Sequence, residues 1–207
     1  MRQVINCLHD HNPLINKPLK KVSVEEGMKI ATELFEILNK RKDGIGLAAN
    51  QVGIDAQVAV INVREPLILI NPKYVSKGNE IPYYEGCLSF KGKSVNTKRY
   101  DSVIVKTEQE ESSLYFSVWN EDNEDGFNKD KFYEMAFECA CVQHEIDHLD
   151  GITMFDRKLK GVTIKRKNKK LGRNDKVVIS KGDNSKTLKY KKAIPLLEDG
   201  WSLEKQL

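Results

Sequence analysis

Four cysteines and four histidines are all that 207 residues contain, and each shortage excludes something. Cys7, Cys87, Cys139 and Cys141 are too few and too scattered for a disulfide framework in a chain this long, so free thiols or a thiolate ligand are expected. No apolar run approaches the ~18 residues of a membrane-crossing helix, and no basic segment followed by an apolar one opens the chain. The expected protein is therefore cytoplasmic and makes no use of a membrane. No internal repeat is evident. With 40% hydrophobic residues the chain suffices for one substantial core and a small appendage.

The formal net charge of +4 hides an asymmetry. Between Arg157 and Lys192 stand 15 Lys and Arg against 2 Asp and Glu, a local charge of +13 that leaves −9 for the remainder. Such a stretch is either a solvated extension or an arm that seeks polyanions such as ribosomal RNA. Tyr190 is its only aromatic residue, so no base-stacking pattern accompanies the charge. Lys176 to Ile179 and Thr187 to Tyr190 could form a small hairpin across Gly182-Asp183-Asn184.

Two of the four histidines stand in "VQHEIDHLDG", Val142 to Gly151. Residues four apart share a helix face, so His144 and His148 can aim two imidazoles at one ion, with Glu145 beside it, in the H-E-x-x-H arrangement of a hydrolytic metal site. The same residues also fit a solvated helix face on which Glu145 or Asp147 pairs with surface lysines. Phe132, Met135, Ala136, Cys139 and Ile146 supply an apolar stripe, and Gly151 a terminator, so the motif sits on a long helix. A first helix is expected from about Val24 to Lys40, opened by the S-x-x-E capping box of Ser23 and Glu26. Between the helices, β-rich runs are expected at Gln57 to Val63, Leu67 to Ile70, Val103 to Thr107 and Ser113 to Trp119. The acidic "NEDNEDG" near Asn120 reads as a loop.

A catalytic zinc-type site uses three protein ligands and leaves a position for water. The best third candidate is Cys87 in "EGCLSF", since a thiolate is a strong soft ligand, although a lone cysteine is often just a small buried hydrophobe. Cys141 precedes His144 by three residues, too bunched with the histidines for a comfortable tetrahedron, and reads as a pocket-lining thiol; Cys139 reads as core. "GIGLAANQVG", Gly44 to Gly53, has neither the ending of a phosphate-binding P-loop nor the spacing of a dinucleotide fingerprint.

Taken together and in order, "GIGLAANQ", "EGCLS" and "QHEIDHLDG" resemble the three signature motifs of the peptide deformylase family. The resemblance covers about His9 to Asp156 and implies an α+β fold, small antiparallel sheets around a central metal-binding helix. It implies a catalytic domain over residues 1–157 and leaves 158–207 as a basic extension, hairpin-forming or partly disordered. Carried over by position, it makes Cys87, His144 and His148 the metal ligands and Glu145 the general base. Gln51, through its amide, and Leu88, through its backbone N–H, become donors to the oxyanion. Ile45 and Gly46 resemble the edge that pairs with the peptide, and Gly86, Phe137 and Cys141 the methionine pocket. The implied cofactor is one divalent ion, typically Fe²⁺, with Zn²⁺, Ni²⁺ or Co²⁺ able to replace it. The implied substrates are N-formyl-methionyl nascent peptides, met by a monomer that the basic extension could bring to the ribosome. Lys91 in "SFKG" stands where many members carry proline. Two other classes share the helix motif: zincin-type endopeptidases, which usually recruit a third ligand further along the chain, and structural metal modules, which need no base.

Overall fold

A computed structural model describes residues 2–41, 43–118, 129–159, 176–182, 184–199 and 201–206, in two compact units, Met1–Thr163 and Ile164–Leu207. The first unit opens with α1 (Val24–Asn39), where Ser23 Oγ accepts from Glu26 N at 3.2 Å and Lys29 pairs with Glu25 one turn before it. Its buried stripe, Gly27, Ala31, Leu34, Ile37 and Leu38, faces a sheet of order β1-β2-β3 (Gly46–Ala48, Val58–Asn62, Pro66–Ile70). At Gly27 the helix comes so close that a Cβ would lie 2.7 Å from Ile70 Cδ1.

Strand β2 is sandwiched. Val58 and Val60 pack with α1, whereas Ala59 and Ile61 join the cluster of Cys139, Val142, Ile146 and Leu149 from α2 (Lys129–Leu149). Successive strand side chains point to opposite faces, so a strand covered on both reads as one apolar run. Beyond α2 lies a second sheet, β4-β7-β8 (Lys73–Lys77, Ser102–Lys106, Leu114–Ser117), which adds Val103, Val105 and Phe116 to the same core. A two-stranded ribbon, β5 (Glu80–Gly86) and β6 (Ser94–Tyr100), completes the unit, and Cys87 directly follows β5. Every residue of α2 from Glu138 to Leu149 is buried. Gly151, at φ +72°, ends that helix hard against the backbone of Lys17, where no side chain would fit.

The architecture is α+β, with small antiparallel sheets. Strands β4, β5 and β6 were not among the expected elements. The acidic segment at 120–126 lies outside the described residues. No described helix is long and apolar enough to cross a membrane.

The second unit contains β9 (Lys176–Lys181), β10 (Asn184–Lys189), α3 (Tyr190–Glu198) and β11 (Ser202–Gln206). β9 and β10 pair antiparallel about Gly182, whose φ is +59°, and β11 adds to the other edge of β9. Val177, Ile179 and Ala193 form its core, flanked by Leu188, Leu196 and Trp201. Helix α3 and strand β11 were not among the expected elements.

Candidate active site

The helix places His144 and His148 one turn apart, with ring centroids 4.8 Å from each other. From the end of β5, Cys87 meets them: its Sγ is 3.2 Å from His148 Nε2, and the three donor atoms lie within 4.8 Å of one another. His144 turns Nδ1 toward Glu85 Oε1 at 3.6 Å, which leaves Nε2 for the cluster. His9 and His11 take no part.

Charge explains why these groups tolerate contact. Burial opposes protonation of His144, but the adjacent Cys87 and Glu85 outweigh it and hold its pKa well above the usual histidine value. Burial, and then the charge on His144, keep His148 well below it. Two protonated imidazoles side by side would repel each other, and a cation between the imidazoles and the thiol serves the same electrostatic need as a proton on one of them. One sulfur and two imidazole nitrogens on three sides also match the donor set of an open catalytic metal site, so the residues fit a metal ion.

Glu145 lies beside the cluster under Gly46, where a Cβ would come 2.8 Å from Cys141 Sγ and closer still to Glu145 Oε1. Burial raises the Glu145 carboxyl to about 7, although His144 and Arg99 pull the other way. Its Oε2 is buried with no hydrogen-bond partner among the described residues. A carboxyl with that acidity and a free oxygen is suited to exchange a proton near neutral pH.

Gln51 occupies a 3-10 turn, Ala49–Val52, that follows β1 directly, and it is buried. Ala48 N donates to Gln51 Oε1 at 2.8 Å, which fixes the orientation of the amide. The Nε2 end is thereby delivered to Cys87 Sγ at 3.5 Å and Ser89 Oγ at 3.3 Å. Leu88 begins another 3-10 turn, Leu88–Phe90, so its N–H belongs to the set left without a partner inside the helix. Asn50, buried beside Gln51, donates to the His148 carbonyl at 2.7 Å and ties the glycine-rich segment to α2.

The remaining expected residues lie around this centre. Strand β1 sits at the end of its sheet, bonded among the described strands to β2 alone; Gly46 is its first residue and Ile45 immediately precedes it. Cys141 is buried, its thiol held protonated by burial and by the charge of Glu145. Gly86 is exposed beside Cys87, and Phe137, one turn before Cys141, is 42% exposed. Cys139 is core, and all four cysteines are free.

A buried ion network supports the centre. Arg99 on β6 donates through Nε and Nη2 to both oxygens of Glu85 (3.0 and 2.6 Å) and through Nη1 to Asp147 (2.5 Å). Asp147 also takes two bonds from Arg157, at 3.1 and 2.7 Å. Asp147 is therefore not a surface partner for lysines, as its place in a polar helix had suggested, but 3% exposed. Burial alone would raise the Glu85 carboxyl; the neighbouring His144 and Arg99 overcome that and hold it near 2. The sequence clue was Glu85 itself, two residues before the candidate ligand Cys87.

Comparison with known proteins agrees with this geometry. A family model described as polypeptide deformylase matches residues 4–168. The chain is 36% identical over 159 residues to the peptide deformylase of Aquifex aeolicus, covering 72% of this chain and 84% of that one. To that of Prochlorococcus marinus strain AS9601 it is 34% identical over 172 residues, 80% of this chain and 77% of the relative. Among solved structures, peptide deformylase from Thermotoga maritima matches at TM-score 0.60 with 26% identity, over 77% of this chain and 98% of its own. The enzyme from Synechococcus elongatus, solved with actinonin, matches at 0.59 with 31% identity, over 77% and 80%.

Arg99→Met should cost about 3–5 kcal/mol of stability, because Glu85 and Asp147 would remain as buried charges without their shared cation. Urea unfolding of the metal-free protein measures it; a change below ~1 kcal/mol would show that the network does not clamp the ribbon to α2.

Proposed function

Because the chain belongs to the polypeptide deformylase family, we propose that Cys87, His144 and His148 hold the metal ion of its reaction and that Glu145 is the general base. The reaction is the metal-dependent hydrolysis that removes the formyl group from N-formyl-methionine at the start of nascent polypeptides and releases formate. The observation that carries the assignment is the convergence of one thiol and two imidazoles beside a buried carboxylate oxygen that lacks a partner among the described residues.

When bound, the ion supplies Lewis acidity that makes water nucleophilic near neutral pH. Glu145 takes a proton from the attacking water and returns it to the methionine nitrogen as the C–N bond to the formyl carbon breaks. Gln51 Nε2 and the Leu88 N–H donate to the oxygen on which negative charge develops, and the Ala48 N–H that fixes the Gln51 amide spares it from reorienting at that moment. The peptide extends along the edge of β1 that no other described strand occupies, at Ile45 and Gly46, so that backbone pairing carries binding independently of sequence. Gly46 must be glycine because Glu145 fills the space above it. Gly86, Phe137 and Cys141 form the methionine pocket.

Fe²⁺ is the resident ion in this reading, and Zn²⁺, Ni²⁺ or Co²⁺ suits the same donors. The protein works as a cytoplasmic monomer with two domains, catalytic over 1–157 and a basic extension over 158–207. The lysine-rich extension carries the positive charge that favours docking on ribosomal RNA.

Formate release from a formyl-methionyl peptide by anaerobically purified protein tests the assignment. Glu145→Gln should lower kcat by at least ~10³-fold while retaining the metal, and Gln51→Leu by roughly 10²- to 10³-fold. Full activity in Glu145→Gln would remove it as the base. Deletion of residues 164–207, which leaves the hydrogen bonds of 157–159 to β6 in place, should abolish salt-sensitive co-sedimentation with ribosomes; unchanged co-sedimentation would contradict the docking role.

A further inference from the structure

Ser89 is 0% exposed, and a hydroxyl held away from water costs free energy unless it is hydrogen-bonded. Its own turn makes no use of it. The Leu88–Phe90 turn starts after Cys87 with no side-chain cap, and Phe90 N donates to Cys87 O at 3.1 Å. The hydroxyl instead accepts from Gln51 Nε2 at 3.3 Å, a side chain from the other 3-10 turn, Ala49–Val52.

A primary amide carries one acceptor oxygen and two N–H groups. In Gln51 the oxygen takes the Ala48 N–H at 2.8 Å, but a single bond leaves the amide plane free to swing about it. The bond to Ser89 is a second anchor. It occupies one N–H and leaves the other available toward Cys87 Sγ, which lies 3.5 Å from Nε2. Cys87, Leu88 and Ser89 are consecutive, so one short stretch supplies the thiol, the Leu88 N–H and the anchoring hydroxyl. The backbones of the two turns are held by one N-terminal segment: Ile5 N donates to Gln51 O and Cys7 N to Ser89 O, each at 2.8 Å.

We propose that Ser89 is a positioning residue for the reaction: its hydroxyl fixes the plane of the Gln51 amide, so that one Nε2–H stands in register with the Leu88 N–H for the developing oxyanion. This rests on the reading of Gln51 and Leu88 as donors to that oxygen; Ser89 acts only through Gln51. Two donors from separate turns serve one atom best when their spacing is set before the charge develops. The N-terminal segment sets it between the backbones, and the Ser89 hydroxyl carries it to the side chain. An amide that swings loses this stabilisation in the transition state, where the oxyanion forms, and leaves ground-state binding of the peptide as it was.

A double-mutant cycle on the full-length, metal-loaded protein, read as steady-state formate release, tests the proposal. Ser89→Ala should lower kcat by roughly 10-fold, less than Gln51→Leu does, and leave KM within about 2-fold of the parent. In the Gln51→Leu background the same change should alter kcat by less than about 2-fold, because the amide it positions is gone. A merely structural role would lower kcat by the same factor in both backgrounds, and that result overturns the proposal; so does an unchanged kcat in Ser89→Ala. Unchanged kcat in Gln51→Leu would instead remove Gln51 as a donor, and the role of Ser89 with it. Nuclear magnetic resonance of the zinc-loaded parent gives a readout independent of turnover and of how well Ser89→Ala folds. One of the two Gln51 Nε2 protons should show the stronger nuclear Overhauser contact to the Ser89 β protons; equal or absent contacts overturn the proposal.

Discussion

One guanidinium organises this molecule. Arg99, 3% exposed, grips Glu85 on the β5–β6 ribbon with two N–H groups and Asp147 on α2 with a third. The ribbon and helix must be held in register because the thiol follows one and the imidazoles lie on the other, 57 residues apart from Cys87 to His144. A hydrophobic contact could supply comparable stability but would not fix that register to a fraction of an ångström. Buried ion pairs are modest net stabilisers, and their best-attested use is to specify a unique arrangement. Glu85 carries that specification to the centre, since the carboxylate held by Arg99 also faces His144 Nδ1.

Dry surroundings turn that arrangement into chemistry. The inner half of α2 is buried throughout, so the Glu145 carboxyl is raised to about 7, and the two histidines are pushed in opposite directions, His144 up and His148 down. The same burial suits the aimed amide of Gln51 to the donor role proposed for it, because a hydrogen bond is stronger in a low-dielectric interior than in water. The glycine-rich turn, the thiol and the helix come from three parts of the chain, and Asn50 couples two of them by bonding to the His148 carbonyl.

What the sequence made legible follows from where information is local. Each metal-site motif puts its chemistry on contiguous residues, and His144, Glu145 and His148 announce themselves by helical spacing alone. Strand β2 was readable because cover on both faces demands an unbroken apolar run. Strands β4, β5 and β6 were not: "KYVSK" and "EIPYYEG" are mostly exposed, with little apolar alternation to detect. The Arg99–Asp147 bond joins residues 48 apart, and nothing local distinguishes that aspartate from one on a solvated helix face. The orientation of the Gln51 amide was equally hidden, since a backbone donor three residues earlier decides it.

X-ray absorption at the edge of the bound metal in anaerobically purified protein is the most direct test of the central claim. The account predicts one sulfur neighbour beside nitrogen or oxygen neighbours, with the sulfur shell absent in Cys87→Asp. A metal shell of nitrogen and oxygen alone in the parent protein would contradict it, because the ion would then be bound without the thiol that the Arg99 network brings to α2.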